Sequence, residues 1–206
     1  MEMIRTGNAG VLVTLDGTKV LVDGLCGRVG AYPETPAYIV QNLLDEPPDV
    51  LLFTHAHQDH YSAIHISPYE NTILRPVIGP EDVSYKQFSV GNLKITPIKT
   101  RHLGKADPGL SHTSYLIEGS KNVLVAGDSA PTCFKDFPKV DLAVVPYAYC
   151  TTPSAWALTK SICDRVVLVH MPAEEEDEYG LWHLVRETTH SDPKLTVAEI
   201  GKRLIF

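Results

Sequence analysis

The segment from Thr54 to Tyr61, Thr-His-Ala-His-Gln-Asp-His-Tyr, constrains this chain more than any other. It packs His55, His57, Asp59 and His60 into six residues directly after the apolar run Val50-Leu51-Leu52-Phe53. A short apolar run bounded upstream by Pro47-Pro48-Asp49 reads as a buried strand, so the four polar side chains fall where a strand stops. Strand ends are where rigid frameworks present functional groups. Three imidazoles and a carboxylate so close together are hard to reconcile with packing, because each imidazole needs partners for two ring nitrogens. A cation that gathers them removes the difficulty, and neutral imidazole with carboxylate suits zinc, iron, manganese or nickel. His55 and His57 turn to one side of an extended segment, while Asp59 and His60 aim at a neighbouring point once the chain turns. That arrangement suggests two metals side by side.

The rest of the chain has to build a frame for this cluster. At 206 residues, 44% hydrophobic and 21% charged, a single ordered domain spanning 1–206 is expected. No run has the length of a membrane span, and the amino terminus lacks signal-peptide architecture, so a cytoplasmic protein is expected. The widely spaced cysteines Cys26, Cys133, Cys150 and Cys163 form no paired zinc motif and fit reduced thiols. A net charge of −7 argues against a nucleic-acid surface, which normally carries a basic patch. Part of that charge is the block Glu174-Glu175-Glu176-Asp177-Glu178, which reads as the solvated first turn of a helix.

Apolar periodicity supplies the elements. Gly10 to Leu15 and Lys19 to Asp23, separated by Asp16-Gly17-Thr18, read as a hairpin. The second run ends at Asp23, either a turn cap or a residue that supports the metal loop by hydrogen bonds. Thr35 to Leu44 reads as a helix with one buried face, Val50 to Phe53 as the strand that delivers the cluster, and Tyr61 to His65 as the start of a second helix. Strands are expected at Thr72 to Leu74, Pro76 to Ile78, Phe88 to Val90, Leu93 to Thr100, Tyr115 to Glu118 and Asn122 to Ala126. Crossovers follow: strand Val140 to Val145, helix Ser154 to Cys163, strand Val166 to Val169, a helix around Tyr179 to Thr189 and a last strand near Arg203 to Phe206. Two packed sheets with helices outside, a four-layer αββα sandwich of the α/β class, fit that order.

On this map His55, His57, Asp59, His60, His102, Asp128 and His170 all lie just beyond an apolar run, so successive strand ends can bring them to one edge of the sandwich. His102 follows one strand and His112 precedes the next, which leaves either able to reach the cluster. His102 is preferred because strand exits supply the other candidates.

His55-Ala-His57-Gln-Asp59-His60 resembles the His-x-His-x-Asp-His motif of the metallo-β-lactamase superfamily, and Gly127-Asp128 and His170 are similar to its later motifs. Gly7-Asn8-Ala9-Gly10 and Val22-Asp23-Gly24 resemble its first hairpin, so the likeness covers almost the whole chain, in a layout closer to the compact hydrolases than to true β-lactamases. The resemblance implies that His55, His57 and His102 hold one metal, Asp59, His60 and His170 the other, and that Asp128 bridges them. It implies two divalent ions, zinc first, with manganese or iron able to take the same ligands.

Two such ions sharing a water lower its pKa toward about 7 and yield a bridging hydroxide as nucleophile. Asp59 orients it or accepts its proton in passing; with His102 as the ligand, His112 either supports the site by hydrogen bonds or faces the substrate, and His112 or Tyr147 is the expected proton donor to the leaving group. The expected function is hydrolysis of a small-molecule ester, lactone or phosphodiester. A nuclease, a di-iron oxidoreductase and a non-catalytic sensor on the same fold are the alternatives.

Overall fold

The computed structural model describes residues 1–82, 84, 86–104 and 109–206. The connection between the strands expected at Leu93 to Thr100 and Tyr115 to Glu118 therefore lies partly outside the described residues. Strands β1 to β13 are Glu2–Arg5, Val11–Leu15, Thr18–Val22, Val50–Leu52, Val77–Ile78, Phe88–Val90, Leu93–Thr100, His112–Glu118, Asn122–Val125, Val140–Pro146, Cys163–Val169, Leu195–Val197 and Arg203–Ile205. Helices α1 to α5 are Ala37–Asp45, Ala63–Pro68, Ala148–Thr151, Pro153–Ile162 and Leu181–Ser191. One sheet runs β13-β1-β2-β3-β4-β5 and the other β12-β11-β10-β9-β8-β7-β6.

Three apolar clusters separate four layers. Val11, Val13, Val20, Val22 and Leu52 from the first sheet meet Ile95, Tyr115, Ile117, Val144 and Val167 from the second. On the outer face of the first sheet, Leu21, Leu51 and Phe53 pack on Ile39 and Leu43 of α1 and Ile66 of α2. On the outer face of the second, Leu124, Ala143 and Leu168 pack on Ile162 of α4 and Val185 of α5. The expected αββα sandwich is the observed one. Every residue of β4 is buried because β4 lies between the parallel strands β3 and β5, with both faces covered, which is why its sequence shows no polar alternation.

The differences from the sequence map are local. Thr72 to Leu74, expected as a strand, belongs to a wide π turn over Tyr69–Ile73 that Leu74 closes in the left-handed conformation, φ 58°. Its β-branched character is outweighed by continuity with α2. The short strand β12 escaped notice because Leu195–Val197 is three residues long, but it completes the parallel array beside β11. The acidic block forms a 3-10 turn at Glu174–Glu176 ahead of α5, and the Asp177 carboxylate accepts the amides of Leu181 and Trp182 at the start of that helix. Cys26, Cys133, Cys150 and Cys163 are free thiols. No helix among the described residues is long and apolar enough to cross a membrane.

Arg5, at the end of β1, is 2% exposed. Its guanidinium donates to the carbonyls of Gly7 and Asn8 from Nε, Ala198 from Nη1 and Met171 from Nη2, at 2.8 to 3.2 Å. Burial pulls its pKa down to about 10, which leaves it charged at neutral pH. One cation thus ties the loop after β1 to the segment after β11. Arg5→Met orphans these carbonyls, and urea denaturation is expected to show a loss of about 3 kcal/mol or more. Lys139→Ala, which removes the exposed pair with Asp164, is expected to leave the midpoint unchanged.

Candidate metal centre

The seven expected ligand residues arrive from four strand ends. His55, His57, Asp59 and His60 follow β4, His102 follows β7, Asp128 follows β9 and His170 follows β11. Two hydrogen bonds stitch the sheets together beside them: Thr113 N donates to Thr54 O at 2.8 Å, and Tyr115 Oη donates to Phe53 O at 3.0 Å. Three groups of potential ligands result, each with its donor atoms within 4.8 Å of one another: His55, His57 and His102; His55, His60 and Asp128; and Asp59, His60 and His170. Asp128 Oδ2 lies 3.4 Å from His60 Nε2, 3.6 Å from His102 Nε2 and 3.1 Å from His170 Nε2. Asp59 Oδ2 lies 3.3 Å from His170 Nε2.

Hydrogen bonds from outside the cluster decide which nitrogen of each ring faces it. Asp23 accepts the Thr54 amide at 2.7 Å on Oδ1, and on Oδ2 the Thr54 hydroxyl at 2.6 Å and His60 Nδ1 at 2.8 Å. Since the Thr54 hydroxyl is spent on Asp23, its oxygen accepts the proton of His55 Nδ1 at 3.0 Å. His102 Nδ1 donates to the Leu103 carbonyl at 2.6 Å. For His55, His60 and His102 the outer nitrogen is therefore protonated and anchored, and Nε2 is the lone-pair atom turned inward. Of the two sequence readings of Asp23, the supporting role is the one observed.

Charge is divided across the cluster. Burial, then the neighbouring His60, hold His55 far below the ordinary imidazole range, and burial with His102 lowers His57. Burial opposes charge on His60 and His170 as well, but there Asp128 prevails, joined by Asp23 at His60 and Asp59 at His170, and both sit above the ordinary value. Burial likewise works against the Asp128 carboxylate, yet His60 and His170 hold it well below the usual range.

His112 lies buried beside the cluster. It is 2% exposed, its Nε2 accepts the Asp128 amide at 3.1 Å, and its Nδ1 lies 2.7 Å from Thr100 Oγ1. Both nitrogens are engaged by the protein, and burial pushes the ring down to about 3. Tyr147, directly after β10, lines a cavity of about 540 Å³ with Tyr32. The Tyr32 ring meets His170 edge-on at 4.5 Å, and burial, then the neighbouring Tyr147 hydroxyl, push its phenol up.

Sequence reasoning missed Asn8 and Tyr32. Asn8 Nδ2 donates to Asp59 Oδ2 at 2.9 Å, and Asn8 O accepts the His170 amide at 3.0 Å. Asn8 lies in the opening Gly7-Asn8-Ala9-Gly10 stretch, but nothing local tells that it reaches Asp59; for Tyr32 the sequence carries no signal.

Residues 4–66 match the family model described as the metallo-beta-lactamase superfamily. No curated protein matches the chain. Among solved structures, a possible metal-dependent hydrolase from Veillonella parvula DSM 2008 superposes with a TM-score of 0.73 at 13% identity, over 100% of this chain and 99% of that one. The isothiocyanate hydrolase from Delia radicum gut bacteria gives 0.64 at 16% identity, over 100% and 99%. CmlA, a diiron beta-hydroxylase from Streptomyces venezuelae, gives 0.63 at 16% identity over 100% of this chain but 54% of the other, so the chain spans about half of that enzyme. The chain carries the metallo-β-lactamase fold, as the histidine cluster implied.

Asp23→Asn keeps the volume but replaces one acceptor oxygen with a donor, so at least one of the three bonds must break. Metal affinity measured by chelator competition is expected to fall about 10- to 100-fold; an unchanged affinity would contradict the anchoring role.

Proposed function

We propose that this protein is a dinuclear metal-dependent hydrolase acting on a small neutral ester or lactone. The observation that carries the reading is a set of buried ligand-type atoms that meet only one another: among the described residues, His60 Nε2, His102 Nε2, His170 Nε2 and Asp128 Oδ1 make no well-formed hydrogen bond, and the three nitrogens stand 3.1 to 3.6 Å from Asp128 Oδ2. Each such atom costs about 1–3 kcal/mol if left unsatisfied, and divalent cations would satisfy all four together. In this reading His55, His57 and His102 hold one ion, Asp59, His60 and His170 the other, and Asp128 serves both. Zinc suits these ligands first, and manganese and iron fit the same imidazole and carboxylate set. When bound, such a pair supplies hydroxide at neutral pH and polarises a substrate carbonyl.

The chain's own residues do the rest. Asp59, fixed by Asn8, keeps an acceptor at the centre and can take a proton in passing. Tyr147, beside Tyr32, is the proton donor to a leaving alkoxide. His112 drops out of that role, since both of its nitrogens are engaged. Electrostatics favours a neutral substrate. The cavity reached from His170 through Tyr32 is lined by Tyr32, Tyr147 and Tyr179 together with Glu175, Glu176, Asp177 and Glu178, and although Arg28 pairs with Glu176 the lining stays acidic. A phosphodiester or nucleic acid approaching there meets like charge, whereas an ester or lactone does not. We place the protein in the cytoplasm, a setting that suits four free thiols.

The reading is tested on metal-reconstituted protein with aryl and alkyl esters, lactones and a phosphodiester. Ester or lactone hydrolysis is expected to exceed phosphodiester hydrolysis in kcat/KM, to vanish with a chelator and to return with metal. Tyr147→Phe is expected to lower kcat on alkyl esters by about 10²-fold and much less on nitrophenyl esters, whose leaving group needs no proton. Chelator-insensitive hydrolysis, or a preference for the phosphodiester, would contradict it.

A further inference from the structure

We propose that His112 is a positioning residue for Asp128, the last link in a closed ring of hydrogen bonds that sets the exit of β9. The inference rests on the dinuclear reading above. The Asp128 amide donates to His112 Nε2 at 3.1 Å, so that nitrogen bears the lone pair and the proton of the neutral ring sits on Nδ1. Thr100 Oγ1, 2.7 Å from Nδ1, accepts it. The Thr100 hydroxyl is then free to donate to Ser114 Oγ at 3.1 Å, and the Ser114 hydroxyl donates to the Ala126 carbonyl at 2.7 Å. The ring starts on the amide of residue 128 and ends on the carbonyl of residue 126, so it clamps both sides of Gly127.

That clamp acts on a point of backbone freedom. Gly127 is left-handed, φ 57°, and a Cβ there would lie 2.8 Å from the Thr54 side chain, so only glycine fits. Glycine brings backbone freedom, and the next residue is the carboxylate that faces His60, His102 and His170. His112 and Ser114, 2% and 0% exposed, exchange their hydrogen bonds away from water. His112 is also absent from every described ligand group, whereas His102 joins His55 and His57. Its ring stands 5.0 Å from that of His55, tilted 33°, as a wall behind the cluster.

Gln at this position places an acceptor near the site of Nε2 and a donor toward Thr100, while Leu supplies neither. The test compares the full-length wild type with His112→Gln, His112→Leu and His102→Ala, titrating Zn²⁺ against a chromophoric chelator and recording the electronic spectrum of the Co²⁺-loaded forms. His112→Leu is expected to reach the wild-type number of metals at saturation but with affinity lowered about 10- to 100-fold and a shifted Co²⁺ spectrum. His112→Gln is expected to recover most of both, and His102→Ala to saturate short of the wild type. A His112→Leu protein with wild-type affinity and spectrum would overturn the proposal. So would one that loses a metal at saturation while His102→Ala keeps both, which would make His112 a ligand. If His112→Leu does not fold, Thr100→Val breaks the same ring at its next link, and unchanged affinity there would also overturn it. A wild type that binds no metal refutes the dinuclear reading itself, a result distinct from each of these.

Discussion

The site depends first on one buried carboxylate. Asp23 is 1% exposed and sits in the left-handed region, φ 50°, where β3 ends beside β4. Burying that charge is costly unless it is met by good donors. It is met by three, the Thr54 amide, the Thr54 hydroxyl and His60 Nδ1, and its own amide donates to the Leu52 carbonyl at 2.9 Å. From this point the orientation of the cluster propagates. Spending the Thr54 hydroxyl on Asp23 leaves its oxygen to fix His55, and holding Nδ1 of His60 turns its Nε2 toward Asp128. A strained aspartate in the first sheet thus sets the tautomers of two histidines facing the second.

The other supports act on the backbone. Arg5 gathers the loop carrying Asn8 and the segment after His170 through backbone carbonyls, with no carboxylate partner among the described residues. His170 itself is left-handed, φ 61°, and its amide is held by Asn8. Strain of this kind persists where surrounding bonds over-determine it, and it concentrates at functional sites. The electrostatics are equally divided. Burial holds the imidazoles of His55 and His57 below the ordinary range, while at His60 and His170 the Asp128 carboxylate outweighs burial and draws them above it.

Much of this was legible in the sequence wherever a signal was local. Val50 to Leu52 reads as a buried strand because both faces are covered, and the cluster that follows is dense enough to exclude packing. His102, Asp128 and His170 could be gathered because each follows an apolar run, a regularity independent of their distance along the chain. What could not be read depends on closure in three dimensions. Nothing beside Arg5 indicates that it will meet Ala198 and Met171, and nothing beside His112 indicates that its acceptor nitrogen will meet the Asp128 amide. The Thr72 to Leu74 segment misleads because its β-branched residues carry less weight than the helix running into it. Leu195–Val197 is too short to show a period, although its place beside β11 needs only three residues.

The central claim is that two cations occupy this edge of the sandwich, and anomalous X-ray scattering at the metal edge from crystals of the reconstituted protein tests it most directly. Two peaks are expected, one within about 2.0–2.3 Å of His55, His57 and His102 and the other equally close to Asp59, His60 and His170, with Asp128 reaching both. No peak, a single peak, or a first peak bonded to His112 in place of His102 would contradict the account.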